Sequence, residues 1–451
     1  MHPGIFREYD IRGLVDKEIS DDDVLHLGRT IGTYMDKHNV KTITLGRDCR
    51  LSSDHYRDLL LEGLLATGRQ VIDIGVCPTP LLYFSVWHYN AQGAVMITAS
   101  HNPSTYNGFK IMVGKATLFG QEIQNIYKLS QSGPFVSGAG SVRREEIIGP
   151  YIDHVSGIIK LENPLYVAID CANGTAGPVV VPLMKKLGIE MDALYTDMDG
   201  NFPNHPADPT VEANLADLKK VVLDKKLRAG FAYDGDSDRL GMIDEKGAPI
   251  WGDMILTMFA RSILEKNPGA TFIGEVKCSQ NLYDDIRKHG GNPIMWKAGH
   301  SLIKQKMAET GALLAGEMSG HIFFKDRWFG FDDGIYSSLR MAELLSRNPA
   351  PLSAWLADLP QMYNTPEIHQ PCPDDIKFQV ITRVGELLNK YKIVAIDGVR
   401  VTFDDGWGLV RASNTGPNLV MRFEAKSQDR LEQIQELVSG AVKQAMAALA
   451  K

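Results

Sequence analysis

Between residues 41 and 317 the sequence keeps changing period, and that alternation limits the folds open to it. KTITLG (41–46) has the short β-rich character of a strand, the run from His55 to Thr67 has helical spacing, and RQVIDIG (69–75) is again strand-like. Pro78 and Pro80 punctuate, a short helical run follows, and GAVMIT (93–98) closes the first round. LYVAID (165–170), the helical VVPLMKKLG and VEANLADLKKVVLDKK, and AGFAYD (229–234) form a second. A third holds a helix over 253–266, TFIGEV (271–276), a helix near 281–289, NPIMWK (292–297), the helical SLIKQKMAET and LLAGE (313–317). This rhythm predicts α/β units with mostly parallel sheets. QSGPFVSGAG (131–140) reads as a boundary between the first two.

The pattern then changes. After YNTPEIHQPCPDD (363–375) the order is helix, strand, turn, strand, loop, strand, helix. Asp397-Gly398 and Asp405-Gly406 are hairpin-turn pairs, and QDRLEQIQELVSGAVKQAMAAL is an amphipathic helix. A small α+β domain with an antiparallel sheet fits. At about 150 residues per domain the 451 residues suggest three; the change of pattern raises the count to four, with limits at 1–145, 146–248, 249–362 and 363–451.

The formal charge of −7 argues against a broad nucleic-acid surface and a polybasic membrane patch. No stretch approaches the roughly 18 apolar residues of a membrane span, and the first residues have no signal-peptide core. Cys49, Cys77, Cys171, Cys278 and Cys372 lie far apart, without zinc or redox spacing. A reducing compartment, the cytoplasm, is the expected address.

Two stretches carry chemistry. In VMITASHNPSTYNGFKIM (95–112) an apolar run stops at Ser100-His101-Asn102-Pro103. This is either a plain turn or a nucleophilic serine held at a strand end. AYDGDSDRLG places Asp234, Asp236 and Asp238 at alternate positions after a strand. Three such carboxylates repel unless a cation neutralises them, and all-oxygen ligands suit a hard ion, Mg²⁺ above all. A calcium loop is excluded, because Arg239 occupies the sixth place, where that loop needs glycine. The bland alternative is an exposed acidic turn. A three-Asp site leaves positions open for a phosphate oxygen, which links it to Ser100: a phosphoserine carries about two negative charges and three acceptor oxygens. GTAG (174–177) lacks the Lys-Ser/Thr ending of a nucleotide-binding loop and reads as a core turn.

Five motifs in one order resemble the α-D-phosphohexomutase family. Thr98-Ala-Ser-His-Asn-Pro103 is similar to its phosphoserine signature, Asp234-Gly-Asp-Ser-Asp-Arg239 to its metal loop and Gly316-Glu-Met-Ser-Gly-His321 to its sugar-binding loop. Arg411-Ala-Ser-Asn-Thr-Gly-Pro417 resembles its phosphate-binding loop, and Tyr9-Asp-Ile-Arg-Gly13 its N-terminal motif. The resemblance implies three α/β domains with mixed sheets and a smaller C-terminal α+β domain around a central cleft. It implies an intramolecular phosphotransferase that interconverts hexose 1- and 6-phosphates through phosphorylated Ser100 and a hexose 1,6-bisphosphate, with one Mg²⁺ on Ser100, Asp234, Asp236 and Asp238. Lys110, then His101, is the expected general acid/base, with Arg12 and Arg239 as charges near the serine. Tyr9, Lys277, His300, Glu317, Ser319, His321, Arg411, Ser413, Asn414 and Thr415 are implied to hold substrate. Glu317 could instead pair with Lys325 or Arg327. Met318 is similar to the bacterial phosphomannomutase/phosphoglucomutase branch. The alternatives are a phosphoglucosamine mutase, a metal-dependent sugar phosphatase or a non-catalytic sugar-phosphate binder. Small phosphosugars are the expected partners and a monomer the expected state. A last domain that closes over substrate is also expected, with GFDDG (330–334) and TPEIHQPCPDD preceding or forming the passage to it.

Overall fold

The computed structural model describes residues 1–414 and 416–449. Four sheets follow one another along the chain. The first runs in the order Ile11–Leu14, Tyr106–Val113, Gly93–Ile97, Thr42–Arg47, Gln70–Val76, Ser141–Arg144. Its centre is parallel, but Tyr106–Val113 pairs antiparallel with both Gly93–Ile97 and Ile11–Leu14. The second sheet is parallel over Ala229–Tyr233, Tyr166–Asp170 and Glu190–Leu194, and antiparallel where Leu240–Asp244 and Pro249–Ile250 join. The third is parallel over Asn292–Trp296, Thr271–Glu275 and Leu314–Gly316, with Ile322–Phe324 antiparallel.

Mostly parallel sheets are therefore corrected to mixed ones. The reason is local. In each unit a strand leaves the parallel centre through a short loop and returns as its own antiparallel neighbour. Such a hairpin needs no helix, so the strand–helix rhythm does not announce it. These three loops, 98–105, 234–239 and 317–321, are the serine, aspartate and sugar motifs. QSGPFVSGAG is likewise not the end of the first unit, because Ser141–Arg144 still pairs with Gln70–Asp73.

One apolar cluster runs through the first three units. Leu81 and Phe84 of the helix Thr79–His88 share it with Tyr151, Val179, Phe259 and Leu339, all buried. The C-terminal unit is a fully antiparallel sheet built on Gly406–Ala412 and Asn418–Ala425, covered by Lys377–Leu387 and Gln428–Leu449, with a core of its own. Its tight turn differs in detail from expectation: Phe403 pairs with Gly406, so Asp404-Asp405 form the two-residue loop and Gly406 begins the next strand. GFDDG lies inside the third unit, where Asp333 caps the helix Gly334–Arg347 through its side chain. The passage to the last unit is left to the segment that follows that helix.

Candidate active site

The loop after Gly93–Ile97 buries Ser100, which is 3% exposed and takes a left-handed φ of 50°. Its N–H donates to Thr98 Oγ1 at 2.9 Å, and its hydroxyl donates to Asp234 Oδ2 at 2.7 Å. His101 Nδ1 lies 3.1 Å from the same hydroxyl. Burial and the Arg239 and Arg12 charges hold the His101 imidazole well below its usual range, so it is neutral. Arg12 touches the loop rather than the hydroxyl, donating to Asn102 Oδ1 at 2.6 Å and Ala99 O at 3.3 Å.

Asp234, Asp236 and Asp238 are fully buried, and one oxygen from each falls within 4.8 Å of the others. Burial and the Asp238 and Asp236 charges push the Asp234 carboxyl well up, as expected of carboxylates that need a cation to ionise together. Asp236 Oδ2 accepts from Thr79 Oγ1 at 2.6 Å and Lys110 Nζ at 2.9 Å, whereas Asp236 Oδ1 and Asp238 Oδ1 are buried without a hydrogen-bond partner. Buried orphan oxygens on two of the three carboxylates suit a hard divalent cation. Lys110, opposite Met96 in the hairpin, reaches Asp236 and Asp238 (2.5 Å) rather than Ser100. Burial opposes its charge, but the two carboxylates outweigh burial and hold the ammonium well above its usual range.

The aspartate and sugar loops are joined. Arg239 pairs with His321 in an isolated antiparallel bridge, and its Nε donates to His321 Nε2 at 3.1 Å. His321 Nδ1 faces Asp332 Oδ2 at 3.2 Å and Asp238 Oδ1 at 3.5 Å. His300 begins the helix His300–Thr310, 3.7 Å from Asp332. Glu317 pairs with neither Lys325 nor Arg327. It accepts from Gly299 N at 2.7 Å, and Arg327 goes to Glu343. Gly299, at φ 126°, leaves room for Tyr9, whose ring a Cβ there would meet at 2.5 Å. Tyr9 donates to Ala298 O at 2.8 Å and accepts from Asn414 Nδ2 at 2.6 Å, so one phenol ties the first unit to the third and fourth.

Tyr9, His101, Arg239, Lys277, His300, Glu317, Ser319, His321, Arg411, Ser413 and Asn414 all line one cavity of about 780 Å³. Ser100, the three aspartates, Lys110 and Arg12 are not among the residues that line it; Ser100, Asp234 and Asp238 connect to it through His101, Arg239 and His321. Thr415 lies outside the described residues. Sequence reasoning missed the carboxylates that hold the cations of this cavity. Lys277 Nζ lies 2.6 Å from Glu367 and 3.3 Å from Glu275, and Glu275 also accepts from Met318 N at 2.9 Å. Burial pushes Glu275 up to about 7 despite Lys277. Arg411 Nε donates to Asp397 Oδ2 at 2.9 Å, although Asp397 had signalled only a turn. Glu275 could have been suspected, because a carboxylate closes the apolar strand TFIGE two residues before Lys277. Nothing in the sequence flags Glu367.

A buried serine whose hydroxyl meets the aspartate loop, next to a cavity lined by cations and a carboxylate, defines a site for moving a phosphoryl group on a small polar ligand. Four family models match in order: the phosphoglucomutase/phosphomannomutase α/β/α domains I (3–136), II (149–247) and III (251–363), and the C-terminal domain (367–441). The chain belongs to the phosphoglucomutase/phosphomannomutase family, a family of intramolecular phosphotransferases. It is 43% identical over 441 residues to a phosphomannomutase/phosphoglucomutase of Pseudomonas aeruginosa, covering 97% of this chain and 95% of that one. It is 45% identical over 437 residues to a phosphoglucomutase of Neisseria gonorrhoeae, covering 96% and 95%. A crystal structure of a phosphoglucomutase/phosphomannomutase family protein from Burkholderia thailandensis superposes with a TM-score of 0.93 at 41% identity, over 99% of this chain and 98% of that one. Among the described residues no helix is long and apolar enough to cross a membrane.

Proposed function

We propose that this protein interconverts hexose 1-phosphates and hexose 6-phosphates, of both glucose and mannose, by passing a phosphoryl group between Ser100 and the sugar. The observation that carries the reading is the Ser100 hydroxyl 2.7 Å from Asp234 and 3.1 Å from His101, which lines one cavity together with Arg411, Lys277 and Glu317. Phosphorylated Ser100 gives its phosphoryl group to a sugar hydroxyl, forming the 1,6-bisphosphate. The sugar turns over, and its other phosphate returns to Ser100. In each transfer the accepting oxygen bonds phosphorus and loses a proton, while the oxygen that leaves phosphorus gains one. Neutral His101 lies at the serine end of this exchange, and His321 is assigned to the sugar end. The proton-transfer role expected of Lys110 passes to His101, because the Lys110 ammonium is committed to Asp236 and Asp238 and serves as a fixed positive charge. Arg12 and Arg239 hold the loops that carry the reacting groups.

Asp234, Asp236 and Asp238, with an oxygen on Ser100, would hold one Mg²⁺, which supplies positive charge beside the phosphoryl oxygens. Arg411, with Ser413, Asn414 and Thr415, grips the phosphate that is not reacting. Lys277 and His300 add contacts, and Glu317 and Ser319 take ring hydroxyls common to both sugars. Met318 lines the same cavity and has no directed donor or acceptor for a C2 amine. The reading includes a monomer in the cytoplasm, divided at residues 145, 248 and 362. A side-by-side comparison of kcat/KM for mannose, glucose and glucosamine 1-phosphates, with bisphosphate supplied, tests it. Similar values for the first two and a lower third are expected. A glucosamine value about tenfold above both, some 1.4 kcal/mol of preference, would replace the assignment with a phosphoglucosamine mutase.

A further inference from the structure

Arg50 lies outside the cavity and outside every motif described above, yet its guanidinium is the most heavily committed group around the serine. Its side chain has no exposure. Nη2 donates to Ser100 O at 2.8 Å and Asn102 O at 2.6 Å, and Nη1 to Pro103 O at 2.7 Å and Tyr106 O at 3.1 Å. Nε donates to Asp48 Oδ2 at 3.0 Å. A guanidinium has five N–H donors in a rigid planar fork, and here all five are used, four of them on carbonyls of one seven-residue stretch. Asp48 is fixed in turn by Arg50 N at 3.0 Å and Ser53 Oγ at 2.6 Å. The Phe202 ring of the second unit lies 5.2 Å from the guanidinium carbon.

That stretch needs an outside anchor. Ser100 is a non-glycine residue at φ 50°, a conformation that persists only where the surroundings over-determine it. With Ser100 so turned, its carbonyl points at Arg50 and its hydroxyl at Asp234. The fit leaves little slack, since a Cβ on Gly235 would meet Ser100 O at 2.6 Å. The carbonyl that Arg50 grips therefore also marks where the aspartate loop rests against the serine loop.

We infer that Arg50 is a positioning residue for the nucleophile: it sets the backbone of the serine loop so that the Ser100 oxygen stands in line with the aspartate site, and it acts without touching substrate. This rests on Ser100 being the phosphoryl carrier. Lysine cannot replace the fork, because its three donors leave from one point and cannot span four carbonyls. Arg411, Glu317 and Lys277 are on other elements and do not touch Arg50, so substrate affinity should survive its loss.

The test compares the full-length wild type, Arg50→Lys, Asp48→Asn and Ser100→Ala, each incubated with hexose 1,6-bisphosphate. Intact mass with mapping of the Ser100 peptide, kcat and KM for a hexose 1-phosphate, and thermal melts are measured. In Arg50→Lys we expect kcat to fall about 100-fold, the cost of misplacing a reacting atom by about 1 Å. KM should stay within about threefold, and kcat is counted per folded chain from the thermal melts, because a smaller folded fraction would also lower kcat at unchanged KM. Asp48→Asn keeps the shape at that position and frees only one corner of the fork, so a smaller fall in kcat is expected, again at unchanged KM. Wild-type kcat in folded Arg50→Lys, or a loss of kcat matched by the loss of folded protein, would overturn the inference. If Arg50→Lys does not fold, wild-type kcat in Asp48→Asn would overturn it instead. Wild type without phosphate, together with an active Ser100→Ala, would refute the role of Ser100 itself, an outcome that Arg50 does not influence.

Discussion

Asp236 divides its labour between its two oxygens: Oδ2 is held by Thr79, Thr98 and Lys110, while Oδ1 is buried with no hydrogen-bond partner. Asp236→Asn preserves the shape and removes one ligand charge. Calorimetric titration with Mg²⁺ should show affinity at least about tenfold weaker, since ligand charge count sets such affinities. Binding equal to wild type would exclude Asp236 as a ligand. The residues legible in the sequence were those whose chemistry is local: three aspartates within five positions, a serine beside a histidine, an arginine among donors. Glu367 and Arg50, which escaped, act across long separations. Lys277 meets Glu367 90 positions away, and Arg50 reaches Ser100 across 50. A single sequence carries no trace of such pairs until the fold brings them together.

The same contrast appears in the elements. Strand and helix periods located most of the parallel strands, but not Glu190–Leu194 or Ser141–Arg144, nor the antiparallel strand Tyr106–Val113. That stretch interrupts its apolar residues with two buried polar ones, Lys110 held by Asp236 and Asp238 and Asn107 donating to Ser52 and Ser53. The helix Gly334–Arg347 offers a pH test. Its cap, Asp333, accepts from Tyr336 N at 2.8 Å and Tyr151 Oη at 2.9 Å, and burial pushes the carboxyl up to about 7. The folded state thus keeps a proton that the unfolded chain gives up near pH 4. This contribution is complete below about pH 4 and is lost as pH rises to about 7, a swing on the order of 4 kcal/mol. Asp333→Asn keeps the cap and cannot ionise. Denaturant titrations at pH 5 and pH 8 should show the variant losing less stability than wild type between the two. An identical loss in both proteins would mean that Asp333 is not the group responsible.

On the scale of the molecule, the first three units share one apolar core, whereas the fourth meets the third mainly through polar contacts around a small cluster of Val276, Trp407 and Leu409. Arg400 donates to Cys278 O at 3.0 Å, Gln280 N to Glu424 at 3.0 Å, and Ala298 N to Asp397 at 3.1 Å. Such an interface permits relative motion, and the last unit is expected to close over substrate. Tyr9, bonded to Ala298 and Asn414, would fasten the closed form. Tyr9→Phe removes one hydroxyl and with it about 1 kcal/mol, so KM should rise about fivefold. Small-angle scattering should show wild type contracting on bisphosphate more than the variant does. Equal profiles with and without tightly bound ligand would mean a preformed cleft. Everything here converges on one atom, Ser100 Oγ, and intact mass with phosphopeptide mapping of fully active enzyme tests it most directly, read beside the turnover of Ser100→Ala. One phosphate per chain on Ser100 is expected, lost on transfer to a hexose phosphate, together with a folded Ser100→Ala without efficient turnover. Fully active protein with no phosphate on Ser100, or an active Ser100→Ala, would contradict it.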